Sequence, residues 1–269
     1  MEKNKQLVKD FWNEASCGED LYLKGNDAVE QFSNQLKIRY QLEPFILSFG
    51  EFESLRNKQV LEIGVGLGAD HQKMAENGAI LQGCDLTERA IQHTQKRFDL
   101  LGLKTNLQVA DAEQLPYSDN QFDAVYSWGV IHHSPNTPKA IEEIHRILKP
   151  GAKAKIMIYH KNSMVGYMLW IRYALLKFKP FTSLKDIYAT YLESPGTKAY
   201  SVAEAKLLFK DFSNVEIDTV LTHGDLLSSN AGQRHKGILL TIARMLFPRW
   251  IIKTFFPKQG LFMLITAVK

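Results

Sequence analysis

Two periods govern the apolar positions of this chain, and the change from one to the other divides it. Residues 4–14 and 27–48 repeat at helical spacing, with Leu7, Val8, Phe11 and Trp12, then Ala28, Phe32, Leu36 and Tyr40. Ser16-Cys17-Gly18-Glu19-Asp20 interrupts them. Further on the pattern turns to short apolar runs separated by amphipathic stretches. Val60-Leu61-Glu62-Ile63 closes on Gly64 and predicts a buried strand. Residues 69–77 predict a helix, Ile80–Cys84 a second strand, 88–101 a helix, and Leu107–Ala110 a third strand. Phe122–Ser127 predicts the fourth strand, and 137–148 a helix with Ala140, Ile141, Ile144 and Ile147 on one face. Lys149-Pro150-Gly151 ends that helix, and Ala154–Tyr159 predicts the fifth strand.

Strand and helix thus alternate from residue 58 to about 160, which predicts parallel βαβ units. Residues 161–213 break the rhythm with helical, aromatic-rich sequence, and late strands are expected at 215–221 and 261–268. The expected fold is α/β: a Rossmann-like, doubly wound, seven-stranded and mostly parallel sheet with its last strand antiparallel. The expected organisation is a helical cap at 1–57 and a main domain at 58–269, with helical insertions at 161–213 and 222–260.

Candidate chemistry begins where the first strand meets its turn. Glu62-Ile63-Gly64-Val65-Gly66-Leu67-Gly68-Ala69 runs from strand through glycines into a helix. Glycines let backbone approach a ligand closely, and the helix start offers free N–H groups. Gly64-x-Gly66-x-x-Ala69 also satisfies the relaxed dinucleotide fingerprint, so an NAD-linked oxidoreductase stays open at this point. Asp85 ends the second strand, where a carboxylate accepts both hydroxyls of a ribose, a feature dehydrogenases share. Asp111 follows the third strand in Val109-Ala110-Asp111-Ala112, in reach of an adenine amino group. The fourth strand leads into Ser127-Trp128-Gly129-Val130-Ile131-His132-His133, and Leu148-Lys149-Pro150-Gly151 introduces the fifth.

These four segments, in this order and spacing, resemble the class I S-adenosylmethionine-dependent methyltransferases of the methyltransferase-11 type over about residues 58–160. The resemblance implies S-adenosylmethionine as cofactor and site roles for particular residues. Glu62, Gly64, Gly66 and Gly68 would hold its methionine part. Asp85 would bind the ribose, Leu86 would pack on the adenine, and Asp111 and Ala112 would read the adenine edge. Ser127, Trp128 and Gly129 would line the sulfonium end. Methyl transfer from a sulfonium is an in-line displacement, and a base is needed only where the acceptor must lose a proton. His132 is the candidate base. His132, His133, Tyr159, His160, Lys198 and Tyr200 are the candidate substrate contacts, at the carboxyl end of the sheet or in the turn-rich loop 193–200.

Composition narrows the remaining classes. A 45% hydrophobic, 23% charged chain excludes disordered and fibrous proteins. Two cysteines, Cys17 and Cys84, are too few for a disulfide framework or a structural zinc site, so no metal and a reducing cytoplasm are expected. Met1–Lys5 leads into no long apolar run, so no secretory signal is expected. Positive charge is concentrated: residues 151–181 and 232–269 hold 13 of the 33 lysines and arginines and no acid. Within them, Met164–Leu176 and Ile238–Phe256 combine bulky apolar, tryptophan and basic residues. The first is too short to span a bilayer, and the second is broken by Arg244, Pro248, Arg249 and Lys253. Two readings stay open: helices lying in an anionic membrane interface, or helices roofing a pocket. The expected acceptor is a small or lipid-like molecule. No nucleic acid is expected, since no appended binding domain fits in the chain. A protein substrate and a non-catalytic cofactor-binding module are the alternatives kept.

Overall fold

The computed structural model describes residues 2–229 and 247–269. Its seven strands are β1 (Gln59–Ile63), β2 (Ile80–Asp85), β3 (Asn106–Val109), β4 (Phe122–Trp128), β5 (Leu148–Tyr159), β6 (Asn214–Val220) and β7 (Phe262–Val268). They form one sheet in the order β3-β2-β1-β4-β5-β7-β6. Strands β1 to β5 pair in parallel, and β7 lies antiparallel to both β5 and β6. The mostly parallel sheet with an antiparallel last strand is the architecture the alternating pattern predicts.

The crossovers follow from the sequence. After β1, Gly68 caps α5 (Ala69–Glu76) in the left-handed region. Thr87 opens α6 (Glu88–Leu101) by accepting from the Ala90 N–H, and Gly102 at φ 64 closes it. Asn136 caps α7 (Thr137–Ile147) with Pro138 in its first turn. Each helix covers the sheet with its apolar stripe. Leu61, Ile63, Val125 and Ile156 meet Ile141, Ile144 and Ile147 of α7 on one side. Val60, Leu81 and Tyr126 meet Met74, Phe98 and Phe52 on the other.

Two boundaries differ from the expected ones. The helix expected over 27–48 splits into α3 (Ala28–Leu42) and α4 (Phe45–Gly50). Pro44 causes the break, because it pushes the residue before it away from helical angles and offers no N–H. Strand β5 starts at Leu148, not Ala154. Lys149-Pro150-Gly151 does end α7, but it lies inside the strand as an irregularity, with Gly151 at φ 75 and the register shifting between Phe122 and Ala124 of β4. The first insertion holds α8 (Met164–Tyr173), α9 (Leu184–Tyr191) and α10 (Val202–Leu208). Of the second helical stretch, α11 (Arg249–Phe255) is present and residues 230–246 lie outside the described residues.

The N-terminal helices α1 (Glu2–Glu14), α2 (Glu19–Tyr22) and α3 lie over the carboxyl end of the sheet, where α3 is tied down by buried polar groups. Arg39 of α3 grips Asp70 in the first turn of α5 with two nitrogens, Nε to Oδ1 at 2.8 Å. Tyr40 and Tyr126 donate their phenols to the same carboxylate, each at 2.9 Å. Burial pushes the Asp70 carboxyl up, but Arg39 and the two phenols outweigh it and hold it below the usual carboxylate range. A turn away, Arg97 of α6 donates to Gln35 Oε1 at 2.6 Å and to the Phe32 carbonyl at 3.0 Å. Asp70→Ala leaves the Arg39 guanidinium without its carboxylate, at a cost of about 3 kcal/mol. Thermal unfolding should register this as a fall in Tm of roughly 6–12 °C; a Tm within roughly 2 °C of the parent would contradict the clamp.

Candidate active site

The turn after β1 is built from glycines for two different reasons. Gly64, Gly66 and Gly68 have φ values of 84, 51 and 75, a region that strains other residues by roughly 1–2 kcal/mol. A Cβ on Gly64 would meet Val130 Cγ2 at 2.1 Å, and one on Gly68 would meet Thr94 Oγ1 at 2.8 Å. Those two are packing requirements. A Cβ on Gly66 would meet nothing within 4 Å; this glycine opens onto a cavity of about 770 Å³ instead. Beside it Asp85 accepts from the Gly66 N–H at 3.3 Å, and from the Thr87 N–H and hydroxyl at 3.0 and 2.8 Å. Burial nevertheless outweighs these hydrogen bonds and raises its pKa.

The cavity runs from this turn toward the insertions, and the expected cofactor residues divide along it. Glu62, Gly64, Gly66, Gly68, Asp85, Leu86, Asp111, Ala112, Trp128 and Gly129 all line it. Ser127 does not: it is fully buried, and its hydroxyl is without a hydrogen-bond partner. Asp111 is engaged by Lys5 of α1, which also reaches Glu113 at 2.8 Å. Burial works against the Lys5 charge, but the two carboxylates raise its pKa. Glu62 is turned toward His71, whose Nδ1 lies 2.7 Å away. The Thr105 hydroxyl donates to the Leu81 carbonyl and so accepts from His71 Nε2–H at 2.7 Å. The His71 Nδ1 lone pair is then the acceptor and Glu62 the donor, as a neutral acid. Burial, followed by the Asp70 charge, pushes the Glu62 pKa up, in agreement with that assignment.

Of the candidate substrate contacts, His133 and Tyr159 line the cavity, and four others lie behind its wall. His132 is fully buried with both ring nitrogens unpartnered, held neutral by burial and then by the neighbouring His133. His160 faces the Gly260 carbonyl through Nδ1 at 3.1 Å. Lys198 donates to the Ser134 and Pro135 carbonyls. Tyr200 holds the strand end in place, its N–H donating to the Tyr159 carbonyl at 2.9 Å. These last three positions support the wall through backbone contacts.

Sequence reasoning passed over several residues that share the cavity's middle. Tyr159 Oη donates to Glu193 Oε2 at 2.6 Å, and His133 Nε2 stands 3.3 Å from that same oxygen. Glu43 and Cys17 face them across the cavity. Desolvation within the cavity, then the charges of Glu193 and Glu43, push the thiol of Cys17 up to about 12, and burial pushes Glu43 up to about 7. Trp128 closes one side, with Phe45 stacked at 6.2 Å and the Arg39 guanidinium 5.7 Å from its ring centre. An acidic, aromatic pole of this kind complements a cation and can hold a polar group at the end of an apolar body.

With this geometry in view, comparison with known proteins identifies the domain at the centre of the chain. Residues 61–156 match the methyltransferase domain model. Those residues carry a methyltransferase domain, and the fold is that of class I methyltransferases. The ubiquinone biosynthesis O-methyltransferase of Coxiella burnetii is 27% identical over 160 residues, 60% of this chain and 61% of that protein. The match thus spans about three-fifths of the length of that curated relative. In fold, the chain is similar to a phosphoethanolamine N-methyltransferase of Haemonchus contortus, with a TM-score of 0.62, 19% identity, and coverage of 97% of this chain and 60% of that one. It is also similar to the PH0226 protein of Pyrococcus horikoshii, with a TM-score of 0.56, 16% identity, and coverage of 97% and 98%. The family's cofactor is S-adenosylmethionine, and the residues present fit it: a bare glycine facing the cavity, a carboxylate on the second strand, and an acidic pole for a sulfonium. The glycine pair separates packing from binding. Gly64→Ala should cost about 2–4 kcal/mol in thermal or urea unfolding. Gly66→Ala should cost only about 1 kcal/mol and instead weaken S-adenosylhomocysteine in a titration. Equal stability losses for the two variants would contradict the assignment.

Proposed function

We propose that the protein moves a methyl group from S-adenosylmethionine to a hydroxyl of a lipid-like acceptor that it takes from an anionic membrane surface. One observation carries this reading: the cavity that starts at the glycine turn ends among the apolar and basic residues of the insertions. Met168, Leu169, Ile171, Arg172 and Leu176 of the first insertion and Phe247 of the second form its outer wall. Beyond them Phe178 and Phe181 are 93% and 100% exposed and Trp250 71%, and Leu176 of the wall itself is 66% exposed. Phe178 also holds a left-handed φ of 56, a strained conformation for a bulky residue that turns its ring outward. Lys177, Lys179, Lys253 and Lys258 are interspersed among these rings and exposed. Apolar rings flanked by lysines suit the boundary between acyl chains and anionic headgroups. No helix among the described residues is long and apolar enough to cross a membrane, so contact would be peripheral.

The cofactor brings a methyl already activated on a sulfonium, which leaves alignment and water exclusion to the protein. Gly64 to Gly68 and Asp85 would hold its two ends, while Glu43 and Glu193 offer negative charge to the sulfonium side. Trp128, Phe262 and Met157 keep that region apolar around the reacting atoms. His133 and Glu193 stand where a hydroxyl proton can leave, a task better suited to them than to His132 behind the wall. The O-methyltransferase name of the ubiquinone-pathway relative agrees with an oxygen acceptor on an apolar body.

Flotation with phosphatidylglycerol-containing vesicles tests the surface, with the protein saturated with S-adenosylhomocysteine. Binding at low salt should weaken by roughly an order of magnitude when both Phe178 and Phe181 are changed to Ser, and should fall again at high salt. Absence of binding at low salt, or binding indifferent to the double change, would leave the insertions as a roof for a soluble acceptor.

A further inference from the structure

His132, His133 and Glu193 each offer a ligand atom, and these atoms lie within 4.8 Å of one another. The hydrogen bonds around His133 fix which nitrogen faces that group. The Thr197 hydroxyl donates to the Ser194 carbonyl at 2.7 Å, so its oxygen accepts from His133 Nδ1–H at 3.1 Å. The Ser194 hydroxyl, 2.8 Å from the same nitrogen, completes the cradle. In the neutral ring Nε2 then carries the lone pair, and it points at Glu193 Oε2 from 3.3 Å without forming a hydrogen bond. A positive charge between these two atoms, a ring proton or a bound cation, stabilises that approach. His132 adds an independent oddity: a fully buried imidazole with neither nitrogen satisfied, its ring centre 4.2 Å from that of His133. Buried polar groups without partners are rare and costly.

We propose that His132, His133 and Glu193 form a binding site for a divalent transition ion of the zinc type, with its open position toward the cavity. Two imidazoles and a carboxylate are a ligand set of catalytic zinc sites, which keep a fourth position for water or substrate. Ligand atoms around a tetrahedral ion with such bonds lie roughly 3.4 Å apart, a spacing His133 Nε2 and Glu193 Oε2 already have at 3.3 Å. A His132 nitrogen within 4.8 Å of both supplies the third ligand. The outer contacts also match a metal centre: Nδ1 of His133 is bound to hydroxyls, and Tyr159 donates to the ligating carboxylate at 2.6 Å. Glu193 and His133 line the cavity and His132 does not, so an ion would enter from the cavity and present its open side there. The expectation of no metal rested on cysteine count, and this ligand set contains no cysteine. An ion on these atoms would replace the proton-accepting role given to His133 and Glu193 above, and the site does not depend on the acceptor's identity.

The test uses the full chain, stripped with a chelator and titrated with Zn²⁺ against a chromophoric competitor. One equivalent should bind, and His133→Ala and Glu193→Gln should each weaken it at least about tenfold. His145→Ala, on the far face of α7 against Phe212, should leave it unchanged. Because a cavity variant can lose its fold, the wild-type Co²⁺ form supplies a second readout: two paramagnetically shifted, exchangeable imidazole N–H resonances are expected. Failure to bind one equivalent, an affinity indifferent to both ligand changes, or a His133 that titrates as a metal-free imidazolium would overturn the site. None of these readouts involves methyl transfer or membranes, so the site and the proposed function fail separately.

Discussion

The Asp70 carboxylate holds three partners at once beneath the glycine turn: Arg39 from the N-terminal helices, Tyr40 beside it, and Tyr126 from the central strand. A charge at this depth is tolerable only because each acceptor direction is filled. The consequence reaches well past local stability. With Arg39 drawn down to Asp70, its guanidinium also stacks over Trp128, and α3 brings Glu43 to the cavity's middle. The roof, the aromatic wall and part of the acidic pole therefore share one anchor. Burial, then the Asp70 charge, raises the pKa of nearby Glu62, while Arg39 and the two phenols lower that of Asp70, so the two close carboxyls are driven apart in pKa.

Charge is distributed unevenly between the cavity and the insertions. Glu43, Glu193 and Asp85 face the cavity beside Lys5, Arg39 and Arg172, while Lys177, Lys179, Lys253 and Lys258 of the two insertions are exposed. The acidic groups suit a cationic cofactor. This distribution also explains why a net charge of +4 says little about the protein by itself.

The sheet was legible because its signals are local. Apolar runs closed by glycine, helix caps at Thr87 and Asn136, and glycine stops each act within a few residues. The residues expected at the cofactor end are singled out for the same reason, since they follow strand ends in order, and all but Ser127 line the cavity. Where signals conflicted, boundaries moved: Pro150-Gly151 reads as a turn, yet the strand absorbs it as an irregularity. The middle of the cavity was not legible. Asp70 reads as an ordinary acid in a first helical turn, and Glu193 as one acid in a Ser-Pro-Gly loop; only distant partners give either a meaning. His132 and Lys198 mislead in the other direction, because position at a strand end or in a loop does not say which way a side chain turns.

The central claim is that the glycine turn and Asp85 form a site for an S-adenosyl ligand. Isothermal titration of the intact protein with S-adenosylhomocysteine, and in parallel with NADH, tests it most directly. The account predicts saturable one-to-one binding of S-adenosylhomocysteine, weakened at least about tenfold by Asp85→Ala, which is roughly 1.4 kcal/mol, and no saturable binding of NADH. Tight NADH binding with none of S-adenosylhomocysteine would contradict it.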